Sequence, residues 1–107
     1  MKICVTSQGP DLASKVDPRF GRARFFIIYD DEEETFEVMD NEQNVNAAGG
    51  AGVQAATDVA GQGCEWVVSG HMGPKALSVL QEADIQVATG ASGKVSEAIR
   101  QFEEGEL

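Results

Sequence analysis

The feature that most constrains the fold is an apolar run, Glu65–Ser69, that stands between two helical patterns. Its near-continuous apolarity predicts a central strand that is buried on both faces. Gly61 and Gly63 end the helix before this strand, and Pro74 suits the first turn of the helix after it. Strands that alternate with helices over short connections are typically parallel and are joined by right-handed crossovers.

The remaining apolar patterns supply four more strands and a third helix. Strands are predicted at residues 2–7, 24–30, 35–39, 65–69 and 85–88, and helices from Gly49–Gly52 to Gly61, from Pro74, and after Ser92 as N-cap. Asp40–Asn46 is predicted to be a polar connector without regular structure. The order β-β-β-α-β-α-β-α predicts an α/β fold in which helices pack on a mixed five-stranded sheet, with residues 1–107 as a single domain.

Charge and cysteine content exclude several functional classes. The formal net charge of -10 disfavours nucleic-acid binding, because most of the surface would repel phosphates. No apolar run is long enough to span a membrane, and the start of the chain lacks a signal-peptide pattern. Cys4 and Cys64 form no CxxC pair, and free thiols suit a reducing compartment, so a cytoplasmic location is expected.

Three arginines share one short loop of this acidic chain. Arg19, Arg22 and Arg24 belong to only eight Lys and Arg residues, and they lead directly into the apolar run Phe25–Asp30. A positive loop mounted on a buried strand suggests a place that holds an anion. The alternative is that these arginines pair with the acidic segment Asp30–Glu34.

Two further loops are expected to lie beside the arginine loop. If the first and fourth predicted strands are parallel neighbours, the loops that follow them lie side by side at the carboxyl ends of the strands, where α/β proteins bind ligands. Gly50 and Gly52 leave the start of a helix bare, which favours an anion, although the glycines could instead serve close packing. His71 and Met72, in Gly70–Pro74, are metal-compatible side chains, and His71 is the candidate metal ligand.

Catalytic patterns are weak in this sequence. It contains no HExxH motif and no visible nucleophile–base pair, and Ile3–Ser7 lacks the clustered carboxylates that a two-metal nuclease requires. A binding protein is therefore predicted in preference to an enzyme, and a hydrolase of phosphate esters is disfavoured.

Four motifs in order resemble the dinitrogenase iron–molybdenum cofactor biosynthesis family. They are DPRFGRA at 17–23, FIIYD at 26–30, AGGAGVQA at 48–55 and GHMGP at 70–74. That family includes NifX and the C-terminal domain of NifB, and the match is closer to its stand-alone branch, which includes the orange protein with its molybdenum–copper sulfide cluster. The resemblance implies a ribonuclease H-like fold and noncovalent, non-catalytic binding or carriage of an anionic iron–molybdenum or molybdenum–copper sulfide cluster.

One position differs from the pattern of the nitrogenase-associated members. They usually carry histidine where this chain has Arg19, which favours arginine hydrogen bonds to bridging sulfides over imidazole ligation at this loop. The predicted cofactor-binding residues are Arg19, Phe20, Gly21, Arg22, Arg24, Gly50, Gly52, His71 and Met72. The expected partners are the inorganic cluster and a protein such as an ATPase or cofactor-assembly protein, and the alternative function is a cofactor-free protein-interaction module.

Overall fold

The computed structural model describes residues 1–107 and shows helices packed on both faces of a mixed five-stranded sheet. The strands are β1 (Lys2–Ser7), β2 (Phe25–Asp30), β3 (Thr35–Asp40), β4 (Trp66–Val68) and β5 (Gln86–Ala88). The helices are α1 (Glu42–Val45), α2 (Ala51–Ala60), α3 (Pro74–Glu82) and α4 (Val95–Glu103). None of these helices has the length and apolarity needed to cross a membrane.

The strands lie in the order β3-β2-β1-β4-β5, with β1 at the centre. β1 pairs antiparallel with β2 and parallel with β4, and β4 pairs parallel with β5. The prediction that the first and fourth strands are parallel neighbours is therefore confirmed. Val67 and Val68 of β4 are both fully buried on opposite faces, as its apolar run predicted.

Alternate residues of the central strands build two separate cores. Cys4, Phe26 and Val67 face α2 and α3. Ile3 and Val5 face α4 on the other side of the sheet. This period of two is what a strand imposes when helices cover both of its faces. The sheet therefore fixes α2 and α3 side by side on one face.

The structure differs from the sequence prediction at two helix boundaries. The predicted connector contains the one-turn helix α1, which begins where the Asp40 carboxylate accepts the Glu42 N–H at 2.8 Å. Local side-chain hydrogen bonds stabilise this turn, so the sequence shows no helical spacing of apolar residues that would predict it. The last helix has Lys94, not Ser92, as its N-cap residue, and Glu97 accepts the Lys94 N–H at 3.0 Å.

Candidate functional site

The three loops predicted to gather at one end of the sheet do meet there. The Phe20 N–H donates to the His71 carbonyl at 3.1 Å, and Arg19 and His71 form an isolated parallel β-bridge. A Cβ atom on Gly70 would lie 2.8 Å from the Cα of Pro18, so the two loops touch through their backbones. The arginine loop is thus held against the loop that follows β4.

Buried hydroxyl groups tie these two loops to the ends of their strands. The Thr6 hydroxyl of β1 donates to the Asp17 carbonyl at 2.7 Å and lies 3.1 Å from the Ser69 hydroxyl. All three residues are buried, where each hydrogen bond is costly to break. Buried hydrogen bonds to β1 therefore fix the position of the arginine loop.

The arginine loop also packs directly on the start of α2. A Cβ atom on Gly21 would lie 2.6 Å from the Cα of Gly52, closer than any side chain allows. Gly50 has a φ of 73°, in the left-handed region that favours glycine. Close packing therefore requires glycine at position 21, whereas a Cβ atom on Gly52 would lie 3.4 Å from the Cβ of Ala76, which is ordinary van der Waals contact.

A cleft of about 350 Å³ opens between the first turns of α2 and α3. Its walls are the two helix starts together with two residues of the arginine loop: Phe20, Gly21, Gly50, Ala51, Gly52, Val53, Gly73, Pro74, Lys75 and Ala76. Four of the nine predicted site residues line it, and they are Phe20, Gly21, Gly50 and Gly52.

Main-chain N–H groups without partners are concentrated around this cleft. Gly50 and Gly73 are the N-cap residues, and neither helix has a side-chain cap. Five of these N–H groups lie in the first turns of α2 and α3 and donate to no protein acceptor, and they belong to Ala51, Gly52, Val53, Lys75 and Ala76. Each helix dipole also places a partial positive charge at the cleft, and the Lys75 side chain adds a whole positive charge. The cleft is therefore suited to an anion.

The start of α4 shows the contrasting case. There the Val95 N–H donates to the Ser14 carbonyl at 2.8 Å, and Glu97 accepts the Lys94 N–H. Unpaired donors are therefore not a general feature of the helices in this protein, and they are concentrated where α2 and α3 begin side by side.

The three arginines have separate surroundings. Arg22 donates from Nη1 to the carbonyls of Val45 and Ala47, at 2.7 and 3.2 Å, and so holds α1 and the residues after it. Arg19 is 62% exposed, and its only side-chain partner is Asp17, with 3.5 Å between Nε and Oδ1. Of the three, Arg19 is the one whose guanidinium is available to a ligand.

Arg24 precedes β2 and lies beside the end of β3, where Phe25 pairs with Asp40. Its Nη1 lies 2.6 Å from Asp40, and its guanidinium carbon lies 4.4 Å from the centre of the Phe25 ring. The Glu42 N–H and the Arg24 guanidinium hold the pKa of Asp40 below its usual value near 3.8. The predicted contact between Arg24 and a ligand would have to compete with this pair.

The alternative, that the arginines pair with the acidic segment Asp30–Glu34, is wrong. Asp31 and Glu32 lie at 2.9 and 3.5 Å from the amino group of Met1, and Asp30 accepts the N–H groups of its own turn. The carboxylates nearest to the arginine side chains are instead Asp17 and Asp40. The acidic turn occupies the far end of β2, because β2 runs away from the arginine loop.

His71 and Met72 lie beside the cleft but do not line it. The His71 side chain is exposed, and its backbone carbonyl anchors Phe20. Met72 is half-buried and packs against the core under α2 and α3. The structure brings no three His, Cys, Asp or Glu side chains together as a metal-binding group. A ligand contact from His71 or Met72 remains a prediction.

Sequence reasoning missed the half of the cleft that α3 supplies. Gly73, Pro74 and Lys75 line it, and they are absent from the predicted site residues although the sequence predicts Pro74 in the first turn of a helix. Gly73 before that proline was the available signal, because a glycine N-cap provides no capping side chain, as at Gly50.

Fold and cleft together define a small mixed α/β protein with a pocket of main-chain donors at the carboxyl edge of its parallel strands. A sequence profile described as "Dinitrogenase iron-molybdenum cofactor" matches residues 1–105. The chain therefore belongs to the dinitrogenase iron–molybdenum cofactor family.

Two solved structures and one further sequence are similar to this chain. The apo form of the orange protein from Desulfovibrio gigas superimposes with a TM-score of 0.95 at 39% identity, covering 98% of this chain and 88% of that one. A candidate NifB protein from Thermotoga gives a TM-score of 0.85 at 35% identity, covering 98% and 89%. An uncharacterized protein from Methanocaldococcus jannaschii is 30% identical over 97 residues, covering 88% of this chain and 81% of that protein.

Proposed function

We propose that this protein binds or carries an anionic metal–sulfur cluster, of the iron–molybdenum or molybdenum–copper type, noncovalently and without catalysing a reaction. The observation that carries the proposal is the cleft between α2 and α3, with its unpaired N–H groups, in a member of a family named for the iron–molybdenum cofactor. The likeness to a protein solved in its apo form supports a role in holding a ligand.

The chemistry of the cleft fits such a cargo. Terminal and bridging sulfides of an anionic cluster accept hydrogen bonds, and the five main-chain N–H groups in the first turns of α2 and α3 have no other acceptor. Lys75 and the exposed Arg19 supply positive charge, and Phe20 supplies an apolar wall. In this proposal Gly21, Gly50 and Gly52 allow close approach, and His71 and Met72 offer soft contacts at the rim.

Arg22 and Arg24 have a different place in the proposal. Their guanidinium groups are already bound to the carbonyls beside α1 and to Asp40. They add positive charge near the loop while they hold its surroundings in place. Charge further than about 8–10 Å from the cleft is screened at physiological salt, so the overall charge of -10 does not prevent local binding of an anion.

Reconstitution of the apo-protein tests the proposal. The protein is mixed with a thiomolybdate–copper cluster and, separately, with an iron–sulfur cluster, and visible absorption is recorded after gel filtration. Lys75→Glu is expected to weaken binding about tenfold, since reversing one charge beside an anion at a partly exposed site changes the binding free energy by about 1–2 kcal/mol.

Lys2→Glu is the matched control, because it makes the same charge change at the other end of β1. It is expected to leave binding within about twofold of wild type, since distant exposed charges are screened. Arg19→Ala plus Arg22→Ala tests the arginine loop in the same assay. The proposal fails if no chromophore stays with the protein, or if Lys75→Glu and Lys2→Glu weaken binding equally.

One observation favours the alternative, a cofactor-free interaction module that contacts a protein such as an ATPase. β3 is an edge strand on which Phe36 and Val38 are 39% and 40% exposed. Recovery of the same partner by metal-free and cluster-loaded protein would favour this function.

We include in the main proposal a cytoplasmic location, a single domain over residues 1–107 and a ribonuclease H-like classification of the fold.

A further inference from the structure

The outer edge of β3 is open to an additional strand. β3 lies at the edge of the sheet beside β2, and five of its six residues are exposed. Its pairing with β2 runs without a bulge from Thr35 to Asp40, and the segment contains no proline. Proteins commonly protect such an edge with a proline, a bulge, a covering element or charged side chains, and β3 has only the last of these. The opposite edge strand, β5, has three residues and is a shorter template.

The main-chain groups of alternate β3 residues point away from the sheet. The Asn41 N–H donates to the Arg24 carbonyl at 3.1 Å, and these two residues continue the register of β2 with β3. Because hydrogen-bonded pairs alternate along an antiparallel ladder, every second residue of β3 directs its N–H and carbonyl groups outward. These residues are Phe36, Val38 and Asp40. A sixth strand would therefore meet main-chain groups that have no partner in the sheet.

The two faces of β3 offer different surfaces to the side chains of such a strand. Phe36 and Val38 are 39% and 40% exposed, and they lie on the α4 face, because their partners in β2 belong to the core on that side or pack against it. Glu37 pairs with Ile28 and projects from the other face. One face of β3 is therefore apolar and the other is acidic.

A cavity of about 170 Å³ lies on the acidic face. Three carboxylates and one ammonium group line it, and they belong to Asp30, Glu33, Glu37 and Lys2. Glu33 and Glu37 take part in no ion pair. The carboxylates do not gather as a metal-binding group, so the cavity suits a lysine or arginine side chain better than a metal ion.

We propose that β3 is a docking edge for a partner protein, which adds an extended segment in which apolar and basic residues alternate. The apolar side chains of this segment pack on Phe36 and Val38, and its lysine or arginine side chains reach the acidic cavity. Neighbouring strands lie about 4.8 Å apart, within the reach of these long side chains. Main-chain hydrogen bonds of the added strand supply affinity, and its alternating side chains supply specificity.

Charge disfavours a second copy of this chain as the occupant. β3 carries two acidic residues and no lysine or arginine, so it lacks the side chains that the cavity requires. An antiparallel pair that sets Phe36 of one copy opposite Val38 of the other also sets the two Glu37 side chains opposite each other, and like charges in that position are destabilising. The net charge of -10 likewise opposes self-association and attracts a basic partner.

The docking edge is separate from the proposed cluster site. No residue lines both the acidic cavity and the cleft between α2 and α3. Unlike a cofactor-free interaction module, a protein that docks through β3 can hold a cluster at the same time. Docking is therefore tested on the apo-protein, and its outcome does not depend on whether a cluster binds.

The probe is a disulfide-closed β-hairpin peptide whose outer strand alternates valine and lysine, since a preformed strand loses less entropy on binding. The isotope-labelled full-length protein is titrated with this hairpin, and solvent exchange of the amide hydrogens is followed by NMR. Saturation is expected to slow exchange at Phe36, Val38 and Asp40 at least about tenfold, because these amides become hydrogen-bonded. A hairpin with glutamate in place of lysine is expected to bind at least about tenfold more weakly.

Glu37→Lys tests the acidic cavity, and Glu82→Lys is its matched control. Glu82 is exposed, forms no ion pair and ends α3, which packs against β5 at the other edge of the sheet. Glu37→Lys is expected to weaken binding of the lysine hairpin at least about tenfold, and Glu82→Lys less than about twofold at physiological salt. Both substitutions are made at exposed positions, so the fold is expected to be retained.

Three results would overturn the proposal. The first is unchanged amide exchange along β3 at saturating hairpin, or no binding. The second is equal weakening by Glu37→Lys and Glu82→Lys, or equal binding of the lysine and glutamate hairpins, because either would show that β3 and its charges do not select the segment. The third is self-association of the protein alone through β3 in sedimentation analysis, which would assign the edge to a second copy.

Discussion

Replacing Gly21 with alanine should destabilise the fold by displacing the start of α2. The new Cβ would lie 2.6 Å from the Cα of Gly52 and 2.7 Å from its nitrogen, and both are backbone atoms that cannot rotate away. Ordinary contact begins at 3.4 Å, so the arginine loop and α2 must separate by about 0.8 Å. Overpacking of this kind typically costs about 1–3 kcal/mol.

Urea unfolding measures this cost. For a chain of this size each kcal/mol corresponds to about 4–8 °C in Tm, so a decrease of about 4–24 °C is expected in a parallel thermal melt. The control is Gly73→Ala, on the other wall of the cleft, where a Cβ atom would have no neighbour within 4 Å and φ is -73°. It should stay within about 0.5 kcal/mol of wild type. Equal stability of Gly21→Ala and wild type, or equal losses in both variants, would refute the argument from backbone contact.

Three further predictions concern stability. Phe20→Ala should lower the free energy of unfolding by about 3–5 kcal/mol, because the ring is 2% exposed and leaves a cavity, and urea unfolding measures this loss. The folded pKa of Asp40 lies below its usual 3.8, so the ionised carboxylate stabilises the fold above pH 3.8. This stabilisation is lost as the pH falls through the folded pKa. Asp40→Asn should therefore make the free energy of unfolding depend less on pH below about pH 4, as urea unfolding at a series of pH values would show. The Asp31 carboxylate raises the pKa of the Met1 amine above 8.0, so this contribution is present below that pH and is lost as the pH rises through the folded pKa. Asp31→Asn should therefore flatten the profile above pH 8, and an unchanged slope in either pH series contradicts the corresponding ion pair.

The parallel pairing of the first and fourth strands and the convergence of their loops were predictable, because the strands follow from apolar periodicity and the pairing from the short β-α-β connections. The run at residues 65–69 required a strand buried on both faces, and its parallel pairing with β1 brought Gly70–Pro74 next to the arginine loop. Helix α1 was not predictable in this way, since Asp40 and neighbouring polar side chains organise it without an apolar stripe. The spacing of apolar residues predicts the helices and strands that bury one face. It does not predict elements that are stabilised by local hydrogen bonds.

The partners of the arginines were the least predictable part of the site. Charge content indicated a positive loop, but only the fold shows that Arg22 reaches the carbonyls of Val45 and Ala47. Such contacts join residues more than twenty positions apart through main-chain atoms, which carry no sequence signature. Lys75 was overlooked for a related reason, because its place in the cleft depends on α2 and α3 starting next to each other.

The uncapped starts of α2 and α3 have a consequence for mutagenesis and for divergence within the family. Their N–H donors belong to the backbone, so no side-chain substitution removes them except proline, which also deletes the amide hydrogen. An alanine scan of the cleft would change Lys75 and Phe20 and leave the donors at Ala51, Gly52 and Ala76 untouched. The side chains around such a pocket can change over evolution while its hydrogen-bonding surface stays constant. Backbone ester substitution by chemical synthesis is the experiment that reaches these donors one at a time.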